Sequence, residues 1–140
     1  MHQHQVTMVE LKDFDQEYSH VFVVNESVYR AFQQGTGDYN PLHCDESFAK
    51  SKGFSQCVMY GNILNGFLSY FVGMMLPTQD VIIHSQDIAY KNPVFMNDEL
   101  QFSAKVDDFS EAVKAVIFKY AFRNNAGKVV AKGHIQIGLI

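Results

Sequence analysis

The run "GNILNGFLSYFVGMML", residues 61–76, leaves the chain few ways to fold. Ile63, Leu64, Phe67, Leu68, Tyr70, Phe71, Val72, Met74, Met75 and Leu76 cover most directions around a helix, and a helix apolar nearly all round belongs inside a protein or a bilayer. A bilayer span needs about 20 predominantly apolar residues. This run is shorter, carries Asn62, Asn65 and Ser69, and ends at Pro77. It reads as a core helix buried on all sides, so the remaining chain must supply a wall around it.

That wall reads as sheet. In "VKAVIFKYAFR" Val116, Phe118, Tyr120 and Phe122 alternate with mixed positions, and in "VVAKGHIQIGLI" Val129, Ala131, Ile135, Ile137 and Leu139 do the same, the period of a half-buried strand. Asn124, Asn125, Ala126 and Gly127 between them are hairpin-turn residues. "VIIHSQDIAY" and "ELQFSAKV" add two strands, joined through "KNPVFMND". A fifth, "HVFVV" at 20–24, precedes the capping residues Asn25, Glu26 and Ser27 and a short helix with Val28, Ala31 and Phe32 on one face. The economical solution is α+β: one long central helix wrapped by an antiparallel sheet.

Composition keeps this to one domain. The chain has 140 residues, 47% hydrophobic and 19% charged, with no repeat, low-complexity tract or proline-rich linker, so residues 1–140 read as a single unit. Net charge is −4 and no basic cluster is interleaved with aromatics, which argues against nucleic acid as a partner. The start "MHQHQVTMVELKDF" has neither a basic region nor an apolar run of signal-peptide length, so a cytoplasmic protein off the membrane is expected. Cys44 and Cys57 form no CxxC pair and read as reduced thiols.

Between strand and core helix lies "FQQGTGDYNPLHCDESFAK", 32–50, which has the composition of an irregular segment. Gly35 and Gly37 permit unusual backbone angles, while Pro41 fixes its own φ and drives Asn40 out of the helical region. Asp45 then caps a second helical turn bearing Phe48 and Ala49. The loop is thus stiffened around Asp38 and His43, and ordered loops often carry function.

This string resembles the signature of the MaoC-like (R)-specific enoyl-thioester hydratases, proteins of the hot-dog fold. The matching residues are Phe32, Thr36, Gly37, Asp38, Asn40, Pro41, Leu42, His43 and Ala49. "MYGNILNG" sits where that family begins its central helix with a glycine, and "YKNPVFMNDEL" is similar to its aromatic-x-x-Pro-Val segment. One departure is Tyr60, where many members have His before the glycine; it bears on the pocket near the carbonyl.

Hydration of a conjugated double bond requires a base for the water, an acid for the α-carbon, and a donor for charge growing on the thioester oxygen. The resemblance implies that Asp38 and His43 hold one water between them; His43 is taken as base and Asp38 as acid. The backbone N–H of Gly61, in the unpaired first turn of a helix, is the expected oxyanion donor. Tyr60, Asn40, Leu42 and Phe48 complete the substrate-binding set, with Met59 beside them. Each has a plainer reading: Asp38 as a turn-closing side chain, Gly61 as a packing glycine, Leu42, Phe48 and Met59 as core. Asn62 and Asn65 need partners or a polar cavity. His43, Cys44 and Asp45 are consecutive and cannot all face one metal ion, so no metal site is expected, and Cys44 lacks an orienting group to make it a nucleophile.

The resulting expectation is a hydro-lyase interconverting a trans-2-enoyl thioester and its (R)-3-hydroxyacyl thioester. No metal or redox cofactor is expected; coenzyme A or acyl carrier protein would carry the acyl group, and the assembly is expected to be a homodimer or larger homo-oligomer. The alternatives are an acyl-thioester hydrolase on the same fold and a non-catalytic acyl-thioester binding protein.

Overall fold

The computed structural model describes residues 9–140; the readings made on the first eight, His2 and His4 among them, lie outside it. Six strands form one antiparallel sheet: β1 Tyr18–Val23, β2 Val81–Gln86, β3 Ala89–Tyr90, β4 Glu99–Ser110, β5 Ala115–Arg123 and β6 Val129–Leu139. The order is β1-β4-β5-β6-β2, with β3 also on β6. Four helices, α1 Glu26–Thr36, α2 Pro41–Cys44, α3 Glu46–Ser51 and α4 Ile63–Tyr70, lie between β1 and β2.

The alternating residues make the wall. Phe102 lies opposite Phe122, while Phe118 and Val116 face Ile135 and Ile137; all six are buried. Against them pack Ile63, Leu64 and Leu68 of α4 and, one turn on, Phe71 and Val72. The Phe71 ring lies 5.1 Å from that of Phe102 and 5.2 Å from that of Phe118. This is the α+β hot-dog arrangement, a sheet curled around a helix.

Three details differ from the sequence expectation. The apolar run is not buried on all sides: Tyr70 and Met74 are exposed, because the sheet covers one flank of α4 only. Regular α-helix also stops at Tyr70 and gives way to a π-helical turn, Phe71–Met75. Second, "VIIHSQDIAY" is two strands rather than one. Asp87 breaks it, its N–H donating to the His134 carbonyl and its Oδ1 accepting from the His134 N–H. The room for this comes from Gly133, where a Cβ would fall 2.1 Å from the Asp87 carbonyl oxygen.

Third, the segment read as loop is mostly helical. α1 runs through Gly35 and stops at Gly37, whose φ of 72° is the left-handed cap that glycine adopts without penalty. Its buried stripe is Tyr29 and Gln33, while Ala31 is exposed. His43 itself stands on the single turn α2. Only 37–40 and the capping residue Asp45 are irregular.

The expected caps are present. Asn25 accepts from the Val28 N–H and Asp45 from the Phe48 N–H. In the β5–β6 hairpin Asn124 Oδ1 accepts from the Ala126 and Lys128 N–H groups, and Gly127 has a φ of 77°. No helix among the described residues is long and apolar enough to cross a membrane.

Candidate active site

The Gly-Asp-x-Asn-Pro-x-His string is a chain of local hydrogen bonds. Gly37 ends α1. Asp38 then closes a turn, its Oδ1 accepting from the Asn40 N–H at 3.0 Å. Asn40 caps α2 through its own Oδ1, which accepts from the Leu42 N–H at 3.0 Å. Its ψ of 132° is the extended value that the following proline demands. Pro41 starts the helix where its missing N–H costs nothing, and His43 stands in that helix's only turn. The turn-closing reading of Asp38 therefore holds for one carboxylate oxygen. Oδ2 has no protein donor among the described residues.

His43 is half-buried and oriented from two sides. Its Nδ1 lies 2.7 Å from the Val58 carbonyl. A carbonyl only accepts, so the proton is on Nδ1, and in the neutral ring Nε2 carries the lone pair. The ring face packs on Tyr60, centroids 4.2 Å apart. Nε2 is thus the basic nitrogen, with no protein partner among the described residues.

A cavity of about 510 Å³ opens beside this histidine. Phe54, Val58, Met59, Leu64, Pro93 and Val94 make its apolar wall. Gly61, Asn62, Tyr90, Lys91 and Asn92 make its polar edge. Gly61 lies in the turn leading into α4 rather than in the helix, which is capped by Asn62. Among the described residues neither the Gly61 nor the Asn62 N–H meets a protein acceptor, whereas the next two, of Ile63 and Leu64, donate back to Tyr60 and Gly61. The face of Gly61 is occupied by a tyrosine: a Cβ there would lie 2.8 Å from Tyr90 Cε1. The glycine therefore admits the Tyr90 ring, as the plainer reading of Gly61 as a packing glycine expected, though the sequence did not name the ring.

Of the two outcomes open to Asn62 and Asn65, partners or a polar cavity, both are met: Asn62 lines the cavity and both side chains have partners. Asn65 Nδ2 donates to Asn62 Oδ1 at 2.8 Å, and Gln86 Nε2 donates to Asn65 Oδ1 at 2.9 Å.

Of the residues singled out from sequence, His43, Gly61 and Met59 line this cavity; Asp38, Asn40, Leu42, Phe48 and Tyr60 do not. Asn40 serves the backbone, and Phe48 lies under the Lys52 ammonium, 5.2 Å from its ring centroid. Tyr60 corrects the expectation most clearly. It is buried, and its hydroxyl donates to the Asp38 carbonyl and accepts from Gln33, so it grips the loop and is shielded from substrate. Burial pushes the Tyr60 and Tyr29 phenols up from their ordinary values, so both keep their protons as donors.

Sequence reasoning also missed Tyr29 and Gln33. Tyr29 donates to the His43 carbonyl at 2.8 Å. A glutamine one turn after a tyrosine on the inner stripe of α1 was the available signal. Among the described residues no group of three His, Cys, Asp or Glu side chains is placed to hold a metal ion, and both cysteines are free thiols.

The family model for a MaoC like domain matches residues 10–126. The chain belongs to the MaoC-like family. It is 33% identical to an (R)-specific enoyl-CoA hydratase of Aeromonas caviae over 58% of this chain and 60% of that one. It is 29% identical to a protein of the same description from Rhodospirillum rubrum over 81% of this chain and 78% of that one. The solved (R)-hydratase from A. caviae involved in PHA biosynthesis superposes with a TM-score of 0.83 at 24% identity, over 91% of this MaoC-like chain and 96% of that chain. At that identity the likeness carries the fold.

Proposed function

We propose that this MaoC-like protein is a hydro-lyase acting on acyl thioesters, adding water to a trans-2-enoyl thioester to form the (R)-3-hydroxyacyl thioester, and the reverse. The observation that carries the reading is His43, held by its Nδ1 on a cavity also lined by Gly61 and Asn62, whose N–H groups meet no protein acceptor among the described residues. In this reading Asp38 starts as the carboxylic acid and His43 as the neutral imidazole. His43 Nε2 takes a proton from the water, and the water oxygen bonds to C3 while the C2=C3 π pair shifts toward the thioester oxygen. That pair then takes the Asp38 proton at C2, and the proton left on His43 returns to Asp38 through solvent. The negative charge on the thioester oxygen in between is met by the Gly61 N–H, a fixed donor with no competing acceptor. Names of the relatives support the substrate class and the (R) outcome. Coenzyme A or acyl carrier protein would carry the acyl group.

A crotonyl-CoA assay tests this when absorbance, free thiol and product chirality are followed together. Hydration to the (R) alcohol without thiol release is the expected result. Thiol release would identify a thioester hydrolase, and no reaction a binding protein. The same assay on Gly61→Val tests the donor, with melting temperature measured beside it because a side chain there meets the Tyr90 ring. Turnover should fall more than folding does, and unchanged turnover with intact structure would remove Gly61 from the chemistry.

The reading includes a homodimer. The outer strand β2 has its far edge unpaired in the sheet order, Ile82 on it is exposed, and Tyr70 and Met74 leave the flank of the core helix apolar; edges of this kind need covering. Light scattering should report at least two copies, and a fully active monomer would contradict this.

A further inference from the structure

We propose that Gln33 is a positioning residue for Asp38 and His43 together, acting through Tyr60 and Tyr29. The inference rests on the hydro-lyase reading and adds residues to it. Gln33 is the one buried polar or charged residue among those described, 4% exposed. A buried amide is costly unless its donors are met, and a leucine there would fill the core at no such cost. Both of its N–H groups are met by tyrosine oxygens. Nε2 donates to Tyr29 Oη at 3.0 Å and to Tyr60 Oη at 3.3 Å. Each hydroxyl passes its own proton on to a backbone carbonyl, and these two carbonyls belong to His43 and to Asp38.

The directions are forced. With both tyrosine protons committed to carbonyls, which cannot donate, the hydroxyl oxygens facing Gln33 can only accept. Reversing the amide would set three acceptor oxygens against one another. The three side chains thus form one branched chain of donors that ties residue 38 to residue 43. The Tyr60 ring, packed at a 34° tilt against His43 with centroids 4.2 Å apart, braces the same pair. Gln33 and Tyr29 lie four residues apart on α1, which fixes the branch to His43, and Gln33 joins to it the Tyr60 branch that reaches Asp38 from the turn before α4. Two groups that share one water require a fixed spacing, because a misplacement of about 1 Å costs on the order of a hundredfold in rate.

Gln33→Met keeps length and volume and removes both donors. In the full-length protein, with crotonyl-CoA, it should lower kcat by about ten- to a hundredfold with KM nearly unchanged. Tyr60→Phe and Tyr29→Phe each cut one branch, and each should lower kcat in the otherwise intact protein. In Asp38→Asn, where the shared-water chemistry is already lost, neither Tyr60→Phe nor Tyr29→Phe should remove much further activity. A general loosening of the fold would instead multiply into every background. Wild-type kcat in Gln33→Met, full multiplication of Tyr60→Phe into Asp38→Asn, or kcat losses that merely track melting temperature across the three variants would overturn the proposal. Should Gln33→Met not fold, the two tyrosine variants carry the same test. Full activity in Asp38→Asn and His43→Ala would sink the hydro-lyase reading and this inference with it; loss there beside an unaffected Gln33→Met sinks the inference alone.

Discussion

Asp38→Asn and His43→Ala should each lower hydration turnover by about a hundredfold or more, within the roughly 10²–10⁴ of general acid–base catalysis; Asp38→Asn should barely alter thermal unfolding and His43→Ala should lower the melting temperature by only several degrees. The geometry makes Asp38→Asn a clean probe. The turn depends on one side-chain oxygen, which accepts from the Asn40 N–H, and asparagine retains an oxygen there. What is lost is the carboxyl group able to carry a proton and give it up. His43→Ala gives up one hydrogen bond to the Val58 carbonyl, about 1 kcal/mol of stability, together with the packing against Tyr60. If the two groups serve one water, the double variant should be little worse than the poorer single one. Wild-type turnover in Asp38→Asn, or activity losses matched by equal losses of stability, would leave the loop as scaffold.

The second large effect is on stability. Phe71→Ala should destabilise the protein by about 3–5 kcal/mol, a large fraction of the roughly 5–15 kcal/mol available to a domain. Phe71 is fully buried, and its ring meets those of Tyr18, Phe102 and Phe118 at 5.3, 5.1 and 5.2 Å, linking β1, β4 and β5 to the start of the π-helical turn. Denaturant unfolding of Phe71→Ala beside Met74→Ala, three residues on and 63% exposed, separates one-sided from all-round burial. Met74→Ala should fall within about 0.5 kcal/mol of the parent. Equal losses at low protein concentration would show that the segment is enclosed within a single chain, as its composition suggested, and that the one-sided packing is wrong.

These two experiments divide along the line between what sequence and tertiary structure decide. Local backbone rules were legible. Asn25 and Asp45 as caps, the unusual backbone angle at Gly37, Asn40 extended before Pro41, and the Asn124–Gly127 turn all follow from interactions within about four residues, whose partners are visible in the string itself. The alternation in β5 and β6 was legible for the same reason, since one face of a strand has a fixed period.

What the string could not show was direction in space. The helix at 61–76 reads as apolar on every side, yet which flank meets the sheet depends on how β4, β5 and β6 curl. Asp38 and His43 were identified as a pair, but the contact with Tyr60 and the donor chain from Gln33 bring together residues 29, 33, 43 and 60, an arrangement set by packing α1 against the turn before α4. Gly61 was read as open to substrate, and the ring that covers it comes from Tyr90, 29 positions away. Sequence alone thus determined the local conformation and the chemical groups present. Only the tertiary structure decided their orientation, because a side chain's partners across long separations are chosen by the packing of whole elements and not by neighbours along the chain.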